Sequence, residues 1–368
     1  MSGSAPRDRF QQLDALRAVA ITVVMLHHFI DPPILLSGFG VTFLFVLSGY
    51  FSTNTLLKLR RQMEEGRMAL GGAAREFYFR RYLRICPTYF LVLGLTALCN
   101  VDGARDGLPW NAFFLSNIQT LVTGQWNGRF APLWSLSFLE QFYMVLPFMI
   151  LWLPRKRLPL ALMLLTSLGI IWRFICLRQN LSGIAWVVSP FASCDAVGLG
   201  ALLGVARLGL ADQTLLRRLI WTARWIGVPA YLLLFTFKAI HYAPWYEEVL
   251  IPFAASLAFV WLSEKASRGF KGPVGRLLDN ESFGRIGQMS YSIFLIHDFT
   301  ELLLPHAGIL GRILDSNYRS LILIPLTIVL ANMSWRWIER PIMEMRRRLP
   351  RPTLPILRSE PASVVEPS

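Results

Sequence analysis

Apolar runs of bilayer length recur ten times along this chain. A helix needs about 20 mostly apolar residues to cross the hydrocarbon core. The candidates are Ala15–Ile34, Gly38–Leu57, Ile85–Val101, Leu133–Leu153, Leu158–Leu177, Asp195–Ala211, Ile226–Tyr242, Val249–Leu262, Ser290–Leu304 and Leu321–Trp337. Some are short, and the eighth is the weakest, so a count of eight or nine stays open. Charged residues make up 16% of the chain, against about 25% in an ordinary soluble domain. So little charge cannot cover a soluble surface, and lipid is the expected solvent. That excludes a disordered chain, a coiled coil and a secreted disulfide scaffold. The expected fold is an all-α, polytopic membrane protein of about ten helices.

The formal charge of +14 reads as loop lysines and arginines held in the cytoplasm rather than as a nucleic-acid surface. Its distribution supports this. With the N-terminus inside, the basic residues crowd the inner connections: Arg7, Arg9 and Arg17; Lys58 to Arg84; Arg155, Lys156 and Arg157; Arg207 to Arg224; Lys265 to Arg285; and Arg340 to Arg358. The outer side keeps Arg105, Arg129, Arg178, Lys238, Arg312 and Arg319. Arg173 and Arg336 fall near span ends, where a long side chain can snorkel. Both termini are therefore expected in the cytoplasm. No cleavable signal peptide is evident. Residues 1–345 read as one transmembrane domain and residues 346–368 as a basic, then Pro/Ser-rich tail without fixed structure. The outer connection from Asp102 to Pro132 carries Trp110, Phe113, Phe114 and Trp126. It is expected to lie on the membrane surface, cap a cavity or re-enter. Cys86, Cys99, Cys176 and Cys194 show no metal-ligand spacing, and no metal is expected.

Ionisable residues within spans are costly and mark candidate sites. Asp14 and Arg17 sit one helical turn apart and can pair. Arg17 and His28 are eleven residues apart, about 20° past three full turns, so they share a face with His28 about 16 Å further along. His27 lies off that face. An imidazole placed as His28 is can serve as a general base on a hydroxyl, or simply hydrogen-bond a neighbouring helix. Ser48-Gly49 permits close helix approach, or places a hydroxyl beside a site. Arg81 and Arg84, one turn apart, can hold the phosphates of an anionic cofactor, or set topology and contact anionic lipid. Glu140 lies deep in its span and needs a partner, with His28 or an arginine as candidates. His297 and Glu301 stand at i, i+4 and can pair. Asp195 reads as a helix cap.

Taken together, these motifs resemble the acyltransferase-3 family of membrane O-acyltransferases, from Leu13 to Pro341. Leu13-Asp14-Ala15-Leu16-Arg17, ten residues and then His28 resembles the family's Arg-x10-His signature. Phe45 to Tyr50 resembles its Ser-Gly-Phe/Tyr motif. Arg81-x-x-Arg84-Ile85-x-Pro87 resembles its basic motif. Trp134-Ser135-Leu136-Ser137 with Glu140-Gln141-Phe142-Tyr143 resembles its central block. Ser290-Tyr291 with His297, and Glu339-Arg340-Pro341, resemble its late motifs. Two departures stand out. Leu139 replaces the first of two common acidic residues, and Ser193-Cys194 stand where an arginine often precedes the acid of the sixth helix. The chain resembles the stand-alone form, without an extracytoplasmic hydrolase-like domain.

The resemblance implies acyl transfer, chiefly of acetyl, from acetyl-CoA to a hydroxyl of a glycan or glycosylated acceptor in a bacterial cytoplasmic membrane. His28 would be the base, with Glu140 or Asp14 orienting partners. Arg17, Arg81 and Arg84 would engage the donor. Ser48, Tyr50, Trp134, Ser137, Tyr143 and His297 would line the substrate site. The expected partners are the acyl-CoA donor, a carbohydrate acceptor and membrane lipid, with no nucleic acid. A proton-coupled transporter or flippase is the rival reading, since buried His, Glu and Arg would suit it too.

Overall fold

The computed structural model describes residues 11–30, 38–208, 213–238, 245–304 and 319–348. Arg7, Arg9, Arg312, the end of the first predicted span and the tail beyond residue 348 lie outside the described residues. Among those described, the chain is helical and contains no strand. Its helices are α1 (Gln11–Ile30), α2 (Phe39–Glu64), α3 (Leu70–Leu98), α4 (Leu108–Ala112), α5 (Ser116–Thr123), α6 (Leu133–Trp152), α7 (Leu158–Arg178), α8 (Gly183–Val188), α9 (Cys194–Arg207), α10 (Gln213–Lys238), α11 (Trp245–Arg268), α12 (Gly272–Leu278), α13 (Glu281–Gln288), α14 (Ser290–Ile296) and α15 (Arg319–Met345). Among the described residues, seven helices are long and apolar enough to cross a membrane: α1, α2, α6, α7, α10, α11 and α15. Large side chains such as Val145, Phe148, Leu164, Ile171 and Leu232 cover their outer faces and stand exposed, as a lipid solvent permits.

The other three predicted spans take different forms. The third helix starts at Leu70, well before Ile85. Arg75, Arg80, Arg81 and Arg84 interrupt the apolar run without interrupting the helix. α9 has 14 residues, about 21 Å of helix, short of the roughly 30 Å hydrocarbon core. The predicted ninth span is α14 followed by a 3-10 segment, His297–Leu303.

Helices in lipid gain little from apolar burial against one another, so close packing of small residues carries much of their association. α9 shows this, with every residue from Cys194 to Ala206 buried. A Cβ on Gly49 of α2 would collide with the Val197 carbonyl, and one on Gly200 with the Val46 carbonyl. On the opposite side Gly169 of α7 lies against Asp195 and Gly198 against Thr166. Gly287 of α13 similarly lies against the Asp14 backbone of α1. Arg60 of α2 donates to the carbonyls of Ile150 and Leu153, each at 2.7 Å. It thereby caps the C-terminus of α6, where a cation is favoured.

Two readings of buried charge are corrected. Arg173 does not snorkel, because its side chain is 3% exposed. It donates to both carboxylate oxygens of Asp195, at 3.1 and 2.7 Å, and to the Ala192 carbonyl at 2.5 Å. Asp195 is accordingly half of a buried ion pair joining α7 to α9, and its side chain makes no cap bond. The arginine that sequence neighbours lack comes from another helix.

Candidate active site

A cavity of about 380 Å³ opens among α1, α2, α3, α6 and α14. Arg17, Arg80, Arg81 and Arg84 line it, with Ser48, Ser52, Phe51, Ser290, Tyr291 and Phe294. The continuous helix through the basic motif puts Arg80, Arg81 and Arg84 within about one turn of each other. Arg17 pairs with Asp14 at 3.2 Å and sits 4.3 Å from the Phe51 ring centre. Arg80 pairs with Glu76 at 2.5 Å. The Arg81 guanidinium lies 3.1 Å from the Tyr143 ring centre, a cation–π contact. Its Nε faces Oε1 of Glu140 at 3.9 Å, beyond hydrogen-bond range. Neither atom has a hydrogen-bond partner, although both are buried. Arg84 has no acid within 4.0 Å among the described residues. Grouped cations repel, and an anion among them offsets that cost. The donor set therefore fits phosphates.

The remaining motif residues hold the walls. Tyr291 donates to the Ile85 carbonyl at 2.8 Å. Glu339, ending a π-helical turn in α15, accepts from Thr88 at 3.3 Å and from Ser292. Gly49 makes the close contact with α9, and its neighbour Ser48 lies in the cavity wall. Tyr50 and Trp134 lie outside the lining, with Trp134 against Phe45 at 6.0 Å. Ser137 is fully buried and bonds the Ser116 hydroxyl at 2.8 Å. Gln141 donates to the Phe114 carbonyl at 3.0 Å and to Asn117 at 2.9 Å. These bonds fasten the outer connection to α6.

His28 does not line the arginine cavity. Phe294 lines it and packs on His297 at 5.6 Å, and His297 meets His28 at 4.8 Å, ring centre to ring centre. His28 is partly exposed, its side chain at 32%. Its Nδ1 lies 3.2 Å from Oδ1 of Asp298, and Nε2 of His297 lies 3.1 Å from the same oxygen. A carboxylate only accepts, so the first contact places the proton of His28 on Nδ1 and leaves Nε2 with its lone pair. His297 Nδ1 lies 2.6 Å from the Phe294 carbonyl, so that nitrogen donates and Nε2 carries the lone pair. The three ligand atoms of His28, His297 and Asp298 lie within 4.8 Å of one another, a spacing that a metal ion could also bridge.

Asp298 is the residue that sequence reasoning missed. The predicted His297–Glu301 pair assumed an α-helix. The 3-10 segment starts at His297 and winds three residues per turn, so Glu301 turns away. It faces Arg129 and Arg319, each at 3.7 Å. Arg129 belongs to the outer connection and also holds Asp102 at 2.8 Å. The adjacent His-Asp pair at 297 and 298 was the available signal.

A family model described as an acyltransferase domain matches residues 10–335. The peptidoglycan O-acetyltransferase OatA of Listeria monocytogenes serovar 1/2a is 25% identical over 361 residues, covering 90% of this chain and 55% of that protein. The O-acetyltransferase OatA of Staphylococcus aureus strain NCTC 8325 is 26% identical over 372 residues, covering 90% and 56%. The chain thus spans little more than half the length of these relatives. No solved structure matches it.

Proposed function

The chain belongs to the acyltransferase-3 family of acyltransferase domains, and on that premise we propose that it transfers an acyl group, chiefly acetyl, from acyl-CoA to a carbohydrate hydroxyl. It does so as a multi-pass protein of a bacterial cytoplasmic membrane, with the arginine cavity opening to the cytoplasm. The carrying observation is the adjacency of two unlike sites: a cavity with four arginines, and beyond Phe294 an imidazole held by a carboxylate.

Arg17, Arg81 and Arg84 hold the donor's phosphates by charge-assisted hydrogen bonds. Glu140 acts as counter-ion to Arg81 and keeps it turned inward. Asp14 does the same for Arg17. The donor supplies a thioester, which brings an activated acyl carbon. Asp298 fixes the tautomer and direction of His28. That leaves Nε2 free to take the acceptor proton, the division of labour of a base and its orienting acid. The acceptor reaches His28 from the side of the outer connection, where Arg129, Glu301 and Arg319 gather. Phe294 stands between donor and base, so transfer requires it to move.

Purified protein in lipid nanodiscs, given labelled acetyl-CoA and cell-envelope glycan, tests the reading. The expected result is acceptor-dependent release of free CoA with label on the glycan, abolished by His28→Ala and retained in His27→Ala. Transport of the glycan without acylation, or equal rates in the two variants, would overturn it.

A further inference from the structure

His297 has a feature that the base-and-orienter reading leaves unused. It is fully buried, and its Nε2 has no hydrogen-bond donor facing it. The Phe294 carbonyl at 2.6 Å fixes the proton on Nδ1. Nε2 therefore points a lone pair at Oδ1 of Asp298, 3.1 Å away. Two acceptors at that distance in a dry site repel unless a proton comes between them. The oxygen concerned is the one that His28 Nδ1 approaches at 3.2 Å. One carboxylate oxygen thus stands between two imidazole nitrogens at hydrogen-bond distance from both.

We propose that His28, Asp298 and His297 form a proton relay, with His297 receiving the proton that the acceptor hydroxyl gives up. The proposal rests on the acyl-transfer reading above. The acceptor O–H bond breaks as its oxygen bonds the acyl carbon and the thioester C–S bond opens. The hydroxyl proton goes to Nε2 of His28. The Nδ1 proton of His28 moves to Oδ1 of Asp298 and passes from there to Nε2 of His297, leaving Asp298 a carboxylate again. Once the thiolate has taken up one proton and the relay has given one up, alcohol and thioester have become ester and thiol. His297 is the relay member nearest the donor cavity, through Phe294. Positive charge stored there is positioned to offset charge developing on the departing sulfur. Among the described residues, Arg129 of the outer connection also acts on Asp298 electrostatically.

The test uses His297→Gln and His297→Ala in the intact protein. An amide keeps hydrogen bonds but cannot accept a proton from Asp298. His297→Gln is expected to lower kcat on the order of 100-fold, with KM for donor and acceptor within about twofold of wild type. Added imidazole should restore His297→Ala, and pyrazole, a ring of the same size and far weaker basicity, should not. Equal rescue by both rings, no rescue by imidazole, or full kcat in His297→Gln would overturn the relay. Stoichiometric bound metal, with activity lost to a chelator, would also overturn it, because Nε2 would then be a ligand. The wild-type rate separates the two ideas. If wild type transfers no acyl group, the functional reading itself falls. If wild type transfers and His297→Gln matches it, only the relay falls.

Discussion

The carboxylate of Asp298 lies 3.2 Å from Nδ1 of His28, so residues near opposite ends of the chain form one hydrogen-bonded unit. Asp298→Asn turns an obligatory acceptor into a group that can present N–H to the imidazole and favour the wrong tautomer. In a triad this change costs about 10⁴ in kcat with the geometry kept. His28 is partly exposed and has a second ring nitrogen to reorient, so a loss of about 10²- to 10³-fold is expected. Donor KM should change little. Steady-state kinetics on the nanodisc-embedded protein checks this, and an unaffected kcat would make Asp298 a structural residue.

Arg84 is the cavity arginine whose substitution disturbs least, since Arg17 and Arg80 have ion-pair partners and Arg81 packs on Tyr143. Arg84→Ala should therefore raise donor KM by about 10- to 100-fold, from a charge-assisted hydrogen bond worth about 1.5–3 kcal/mol. The acceptor KM should stay within about twofold. Titrating each substrate separately reads the split, and an equal rise in both would remove the phosphate role.

Glu140 and Arg81 face each other at 3.9 Å without other hydrogen bonds to the facing atoms. Glu140→Gln keeps the shape and removes the countercharge. The expected result is normal insertion with activity reduced by at least about tenfold, because Arg81 loses the field that turns it inward. Membrane fractionation and the acetyl-transfer assay test it together, and full activity would sink the counter-ion role.

The long apolar helices were legible because lipid demands length and hydropathy, which a one-dimensional reading measures well. α1 bears this out as a helix, but the stripe shared by Arg17 and His28 does not bring them into one cavity, since Arg17 lines it and His28 lies beyond Phe294 and His297. α3 and the predicted ninth span were harder. Arginines along α3 look like a loop when hydropathy defines the element, yet they lie on an unbroken helix. At His297 the α-helical period gives way to a 3-10 segment, and an i, i+4 argument then selects Glu301 in place of Asp298. Arg173 shows a third limit, since its partner Asp195 lies on another helix, and only packing brings the two together. The cavity arginines Arg17, Arg81 and Arg84 came from local motifs, whereas the wall that Phe294 places before His28 has no local signature.

Orientation is open to labelling. Arg61, whose side chain is 79% exposed, ends the second span, and Asp106 stands exposed in the outer connection. With Cys99 replaced, Arg61→Cys should react with a membrane-impermeant maleimide only after the inner face is opened. Asp106→Cys should react in intact cells. The reverse pattern would place the arginine cavity outside and cut it off from cytoplasmic acyl-CoA.

The Arg173–Asp195 pair bears on stability rather than chemistry. Both side chains are at most 3% exposed, and Gly169 gives the carboxylate its room. Removing one partner leaves an uncompensated buried charge, which costs about 3–5 kcal/mol. Replacing both with apolar groups leaves no charge to compensate. Asp195→Ala alone should thus lower the midpoint of thermal unfolding in detergent more than Arg173→Met combined with Asp195→Ala. Arg173 also holds the Ala192 carbonyl, so the double variant should recover only part of the loss. If the single and double variants melt together, the pair does not act as a unit, and α9 is held by its other contacts, the glycine approaches and the Arg207 bonds to the Glu264 and Ser267 carbonyls among them.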